Sequence, residues 1–153
     1  MKTLSGYLYA IALSLWFGGM SVFTLLITPA IFRSYSRDQA GEIVGKLFPL
    51  YFPFTLAVCA AALALLLLSG RGSKISLVLV SVAVALSLYV NFRLYPEVEK
   101  VKQEVRSFER APDDPARTRF RSLHAQSAVI NLVMIGDGLA LLVLLMRKSQ
   151  GRV

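Results

Sequence analysis

Residues 47–70 read LFPLYFPFTLAVCAAALALLLLSG, and no charged side chain interrupts them. A helix needs about 20 apolar residues to cross the hydrocarbon core of a bilayer, within a range of roughly 17–25. Working outward, the same test succeeds three more times. No charge occurs in 3–32 or in 75–92, and in 122–146 the one formal charge is Asp137. The link Gly70-Arg71-Gly72-Ser73-Lys74 is too short for anything but an antiparallel hairpin. These runs predict an all-α integral membrane protein, an antiparallel bundle of four transmembrane helices. The expected spans are 4–31, 48–69, 75–95 and 120–146, in one transmembrane domain over 1–153. Nothing left over has the length to bury a core of its own.

The bulk composition agrees. Hydrophobic residues make up 56% of the 153 and charged residues 17%, where soluble domains carry about 25% charge. Lys2 before an apolar run could suggest a signal peptide. A signal core is roughly 7–15 residues long, whereas this run continues to Phe32 without a small-x-small cleavage site, so it is read as a span. The net charge of +8 fits basic loops against anionic lipid. No aromatic-interleaved basic motif points to nucleic acid, and G-R-G-S-K lacks the spacing of a phosphate loop. Cys59 is alone and inside an apolar run, which reads as a small buried residue.

The connections carry their own signals. Ser36-Arg37-Asp38-Gln39 has the S-x-x-Q form of a capping box. Ala40, Ile43, Val44 and Leu47 follow at helical spacing, as in a short interfacial helix. Pro49 and Pro53 are expected to break or kink the entrance to the second span, with Tyr51 and the nearby phenylalanines in the interfacial belt. Pro96 is expected to kink the third span rather than end it. Beyond it, Val98, Val101, Val105 and Phe108 form one apolar stripe among charges, an amphipathic helix over 97–110 between spans three and four. Asp114-Pro115 reads as an N-cap and first helical position. Of the 17 basic residues, six flank the termini and the 70–74 turn and eleven lie on the other side. The loops 33–46 and 96–121 are therefore expected to be cytoplasmic.

Polar residues inside the spans are candidates for function. Helical phase groups Tyr7, Ser14, Gly18, Ser21 and Thr28 on one stripe of the first span. It groups Ser76, Ala83, Ser87 and Asn91 on one stripe of the third. Either stripe reads as a packing seam of small residues or as the wall of a polar cavity. On the fourth span, His124, Ser127, Asn131 and Gly138 share a face, while Asp137 lies nearly opposite, so His124 and Asp137 cannot converge as a pair. Asp137 requires a proton, a cation such as Arg93, or water. Gly136 and Gly138 beside it would admit another backbone. His124 is the only histidine, at most a single metal or haem ligand, a proton-relay group or a hydrogen-bonding cap. Asn131 is expected to bond across to span one or three. The candidate set is His124, Ser127, Asn131, Asp137, Asn91, Ser87, Ser21 and Trp16. No catalytic triad, carboxylate pair or nucleotide fingerprint is present, so the reading leans away from an enzyme.

Three segments together resemble a known family. They are Trp16-Phe17-Gly18-Gly19 with Phe23, Pro29 and Phe32; then Gly41 to Gly45-Lys46-Leu47-Phe48-Pro49-Leu50-Tyr51-Phe52; then Phe120 with Leu123-His124-Ala125-Gln126-Ser127 and Asn131-Leu132. In order and spacing they are similar to the patterns of the TMEM205-like, DUF4149 family. The resemblance implies a four-span fold, with suggestions around drug or metal resistance and export. Bacterial members commonly carry histidine seven positions before the tryptophan. Here that position is Tyr9, which weakens a two-histidine haem or metal model.

Three functions stay open at this stage. The first is a transport or resistance component for a small solute or ion. The second is a haem-binding redox or porphyrin-handling protein using His124, and the third a structural or assembly subunit. The expected surroundings are a lipid bilayer of the bacterial inner-membrane kind, and a homo-oligomer or larger membrane complex.

Overall fold

The computed structural model describes residues 2–70, 72–105 and 115–150, and within them every regular element is a helix. Four helical stretches are long and apolar enough to cross a membrane: Leu4–Ser34, Arg37–Ser69, Lys74–Glu104 and Pro115–Lys148, the first to fourth spans. Each has 31 to 34 residues, or about 46–51 Å of helix. That exceeds a hydrocarbon core of about 30 Å, so the helices project beyond it. This is why the expected interfacial helix before the second span is not a separate element. It is the first three turns of one helix, α3 in chain order.

The first span consists of α1 (Lys2–Ser21), a wide π-helical turn at Val22–Ile27, and α2 (Thr28–Ser34). The third repeats that plan with α4 (Lys74–Tyr89), a π turn at Val90–Leu94, and α5 (Tyr95–Glu104). Each wide turn comes just before a proline, Pro29 or Pro96. A proline ring in a regular helix collides with the carbonyl four residues back. The residue ahead of each proline instead donates five residues back, Thr28 to the Phe23 carbonyl and Tyr95 to the Val90 carbonyl. The extra residue per turn absorbs the ring, and both spans continue. α5 ends at Glu104, with Val105 extended. The amphipathic helix is thus shorter than the expected 97–110, and Phe108 and Asp114 lie outside the described residues.

The second span is α3 (Arg37–Ser69), a single helix through both Pro49 and Pro53. The expected break does not occur. Each proline deletes one backbone hydrogen bond, which transmembrane helices tolerate when their neighbours hold them. Here the neighbours are aromatic. Phe23 stacks on Tyr51 with centroids 4.0 Å apart, and Phe48 stacks on Phe52 at 5.0 Å. Tyr95 packs against Phe52 at 5.0 Å from the third span. The capping box forms as read: Ser36 Oγ accepts from the Gln39 amide and Gln39 Oε1 accepts from the Ser36 amide, both at 3.4 Å. At the other end Gly70 adopts φ 61°, a left-handed conformation that favours glycine at a helix C-terminus. Ser73 then caps α4 by accepting from the Ser76 amide at 3.0 Å.

The fourth span is α6 (Pro115–Gln150). The spans pack as a ring, each against its neighbours in sequence and the fourth against the first, and the two diagonals make no close backbone approach among the described residues. Small buried residues hold the ring tight: Ala12, Ala62 and Ala83 pack at or near zero exposure around Leu13, Trp16 and Leu141. Without a hydrophobic driving force inside lipid, such close approach supplies the packing energy. The outer faces carry exposed leucines, valines and phenylalanines, as lipid contact requires.

Candidate functional site

The wide turns do more than accommodate prolines, because each presents a polar side chain to the bundle interior. From the first, Thr24 Oγ1 accepts from Asn131 Nδ2 at 2.6 Å. Asn131 Oδ1 in turn accepts from the Tyr51 hydroxyl at 2.5 Å. This chain joins spans one, four and two, crossing the ring's diagonal through its centre. From the second turn, Asn91 Nδ2 donates to the Phe52 carbonyl at 3.0 Å and to the Ser87 carbonyl at 2.9 Å. Asn131 therefore bonds to span one, as expected, and also to Tyr51. The tyrosine is buried rather than in the interfacial belt.

Moving from this level toward the termini, the polar chemistry changes. Ser21 Oγ, Ser87 Oγ, Trp16 Nε1 and one carboxylate oxygen of Asp137 are buried without a hydrogen-bond partner among the described residues. At 1.5 Å per residue, Ser21 and Ser87 sit roughly 4.5–6 Å beyond the level of the bonded residues on their own spans, Thr24 and Asn91, Asp137 about 9 Å beyond Asn131 and Trp16 about 12 Å beyond Thr24. They form a layer about one and a half helical turns thick. Trp16 is fully buried, and its Nε1 lies against Gly138, next to Asp137, where α6 comes within van der Waals reach of α1. Tyr9 and Cys59 are close enough to Asp137 to feel its charge. Asp137 is ten residues from Arg147, about 15 Å along the helix, well inside the hydrocarbon. No contact pairs it with Arg93 among the described residues.

A cavity lies on either side of these two layers. At the end near the termini, one of about 660 Å³ is bounded by Tyr9, Leu66, Leu141, Leu145, Ser69 and Ser73. Tyr9 lines that cavity and also lies near Asp137. At the other end, a cavity of about 390 Å³ lies between α2, α3, α5 and α6, with Thr28 and His124 at its inner limit. The His124 ring stacks on Phe120, with centroids 5.7 Å apart and planes 7° from parallel.

The candidates read from sequence therefore separate into two groups. Trp16, Ser21, Ser87 and Asp137 share the unpartnered layer. Asn91 and Asn131 belong to the bonded level below it. His124 stands apart at the smaller cavity, and Ser127, half-buried one turn further along α6, makes no polar contact that links it to either group. No three of His, Cys, Asp and Glu come together as a metal site among the described residues. The first-span stripe does not hold as a seam. Tyr7 and Ser14 are exposed, and Ser14 bonds its own helix at the Ala10 carbonyl. Nothing lies near Gly18 or Gly136. The inward face of α1 is Tyr9, Leu13, Trp16 and Met20, because burying these larger side chains dominates the packing. The π turn then advances the helical phase by one residue, so that Thr28 reaches the smaller cavity. Tyr9 and Tyr51 were not read as site residues in the sequence and Thr24 was not read at all; the interior proline Pro29, marking a wide turn, is the signal that could have found Thr24.

Residues 11–107 match the model of a family described as a domain of unknown function, DUF4149. The match holds Trp16, Ser21, Ser87 and Asn91, whereas the fourth-span candidates lie beyond it. A relative from Aquifex aeolicus (strain VF5), described as "Uncharacterized protein", is 43% identical over 44 residues. That stretch is 28% of this chain and 33% of the relative, so the alignment covers a third of the relative's length. No solved structure matches the chain.

Proposed function

Because the chain belongs to the DUF4149 family and crosses a membrane with four helices, we propose that it is a transport or resistance component of the bacterial inner membrane. Its solute is a small cation or hydrogen-bond donor. The observation that carries this reading is the unpartnered carboxylate oxygen of Asp137 in the middle of the bundle. A carboxylate in hydrocarbon is costly and is kept where it takes up a proton, an ion or a substrate. Tyr9, on the wall of the larger cavity and near Asp137, supports a path from that site toward one face of the membrane. Trp16, Ser21 and Ser87 add a donor and two hydroxyls to the same layer. A solute with donors of its own would satisfy acceptors that the protein leaves open. Four helices are few for a complete path, so a homo-oligomer supplies the remaining wall.

The haem reading ranks behind. His124 is a lone imidazole, stacked on Phe120 at the far cavity. An assembly subunit would need a free apolar face, and of the stripe after Pro96 Val98 and Val101 are buried against the chain's own helices.

The test is flux in liposomes, followed with an internal pH dye and with ethidium as a small lipophilic cation. Wild-type protein is expected to carry one or both, and Asp137→Asn to lower the rate at least roughly tenfold, the order of the charge-dependent term lost. Equal flux through wild type and Asp137→Asn would sink the proposal. A visible absorbance band in the purified protein would instead return His124 to the centre.

A further inference from the structure

The smaller cavity combines two kinds of wall that a soluble solute does not require together. One side is apolar: Phe32, Val44, Phe48, Val98 and Phe120. The other is cationic: Arg37, Lys102, Arg117 and Arg121 line it against the single acid Glu99. Part of that charge is already used. Lys102 donates to the Gly41 carbonyl at 3.1 Å and lies 3.9 Å from Glu99. Arg119, on another face of α6, pairs with Glu97. Arg117 and Arg121 make neither an ion pair nor a hydrogen bond among the described residues. Four apart on α6, they stand on one face and repel each other unless an anion lies between them.

The depth of the cavity identifies the anion further. Along α3 it runs from Arg37 to Phe48, eleven residues or roughly 17 Å. Since the apolar run of the second span begins near Phe48, the cavity crosses the headgroup region and reaches the edge of the hydrocarbon. The cations stand at the outer end, at the starts of α3 and α6 and the end of α5, and the aromatic residues extend inward. A bare ion would fill neither the length nor the 390 Å³, and a neutral lipid would leave the arginines facing each other. Basic pockets between transmembrane helices suit anionic headgroups, and this one adds a slot for an acyl chain.

We propose that this cavity is a binding site for one anionic phospholipid, its phosphate held by Arg117 and Arg121 and an acyl chain lying along Val44, Phe48 and Phe120. The lipid joins α3, α5 and α6 at the basic end of the bundle. The inference is independent of the transport reading, because it concerns binding at the opposite end from Asp137.

The experiment is native mass spectrometry of the full chain, purified in mild detergent. The detergent is supplied with equal amounts of phosphatidylglycerol and phosphatidylcholine of the same acyl chains. Wild type is expected to retain one phosphatidylglycerol about tenfold over phosphatidylcholine, the scale set by two surface cations. The R117Q/R121Q variant should bring the ratio near one, and R117K/R121K should restore most of the preference. Val44→Trp, which fills the slot and keeps every charge, should reduce retention of both lipids. A wild-type ratio near one overturns the proposal even if a variant fails to fold. So does an unchanged preference in R117Q/R121Q. Displacement of the lipid by excess inorganic phosphate would show a free-anion site instead. The readout is binding alone, so it and the flux experiment on Asp137 fail separately.

Discussion

The two halves of the bundle treat buried polar atoms in opposite ways. In the half toward the basic end, Tyr51, Asn131 and Thr24 bond in a chain, and Asn91 finds the Phe52 carbonyl. Aromatic rings close around them. In the half toward the termini, Trp16, Ser21, Ser87 and Asp137 leave buried atoms unpartnered. Both halves lie in the same low-dielectric medium, so the cost of an unmet hydrogen bond is comparable in each. Satisfied groups fix one arrangement of the helices. Unsatisfied groups lower stability and persist where something else meets them. On the proposed transport reading, the contrast is between residues that hold the bundle and residues that await a ligand.

The strongest challenge to that division is Trp16, which belongs to both sides. Its ring is fully buried in the packing core, while its Nε1 is among the unpartnered atoms. Trp16→Ala is expected to destabilise the protein by about 3 kcal/mol, the low end for emptying such a site, because helices unfolded in lipid remain in an apolar medium. Thermal unfolding in detergent measures this. Trp16→Phe keeps most of the packing and removes the N–H, so it should retain most of the stability and impair flux. If Trp16→Phe loses neither, the indole donor has no part in the site.

The next pair sharpens the contrast directly. Asn131→Leu breaks both bonds of the central chain and leaves the Tyr51 hydroxyl and Thr24 facing a methyl group. Its expected cost is about 1–2 kcal/mol, near the upper range for interhelical hydrogen bonds in membranes. Asp137→Leu removes an unpartnered carboxylate and should leave stability unchanged or raise it, while abolishing flux. Opposite signs at two polar residues six positions apart on one helix would separate holding from function. Equal losses would mean that Asp137 has a structural partner and that the two halves do not differ in kind.

Much of the architecture was legible because hydrophobicity is counted along the chain. The uncharged runs marked four spans, Gly70 marked the hairpin, and Ser36 with Gln39 marked a helix start. Asp137 stood out for the same reason, as one charge in an apolar run. What the sequence concealed depends on phase and continuity. Pro96 looked like a kink, and the wide turns that absorb Pro29 and Pro96 also determine where Thr24 and Asn91 point. Tyr51 looked interfacial because a tyrosine near a span entrance suits a headgroup as well as an interior asparagine. The inward side of α1 was ambiguous between a polar stripe and the Trp16 stripe, and burial decided it. The cationic face of the smaller cavity is assembled from three helices, so no local window could show it.

The smallest effect tests whether the two halves also differ in tightness. Gly45 and Gly138 are both helical glycines where chains approach. A methyl group on Gly138 would sit 3.4 Å from Phe17 Cβ and 3.5 Å from Trp16 Nε1, ordinary contact distances. A methyl group on Gly45 would overlap the Lys102 ammonium, which would swing aside and give up its bond to the Gly41 carbonyl. Alanine is worth about 0.8–1.0 kcal/mol over glycine within a helix. Gly138→Ala should therefore gain roughly 0.5–1 kcal/mol. At Gly45 the loss of one hydrogen bond, about 0.5–1.5 kcal/mol, cancels that gain and leaves a change near zero. Parallel unfolding of the two variants in one detergent measures the difference. A gain at Gly138 would show spare volume beside Asp137, which a site that admits a solute needs. A loss there, with none at Gly45, would reverse the order of tightness and place the looser packing at the basic end.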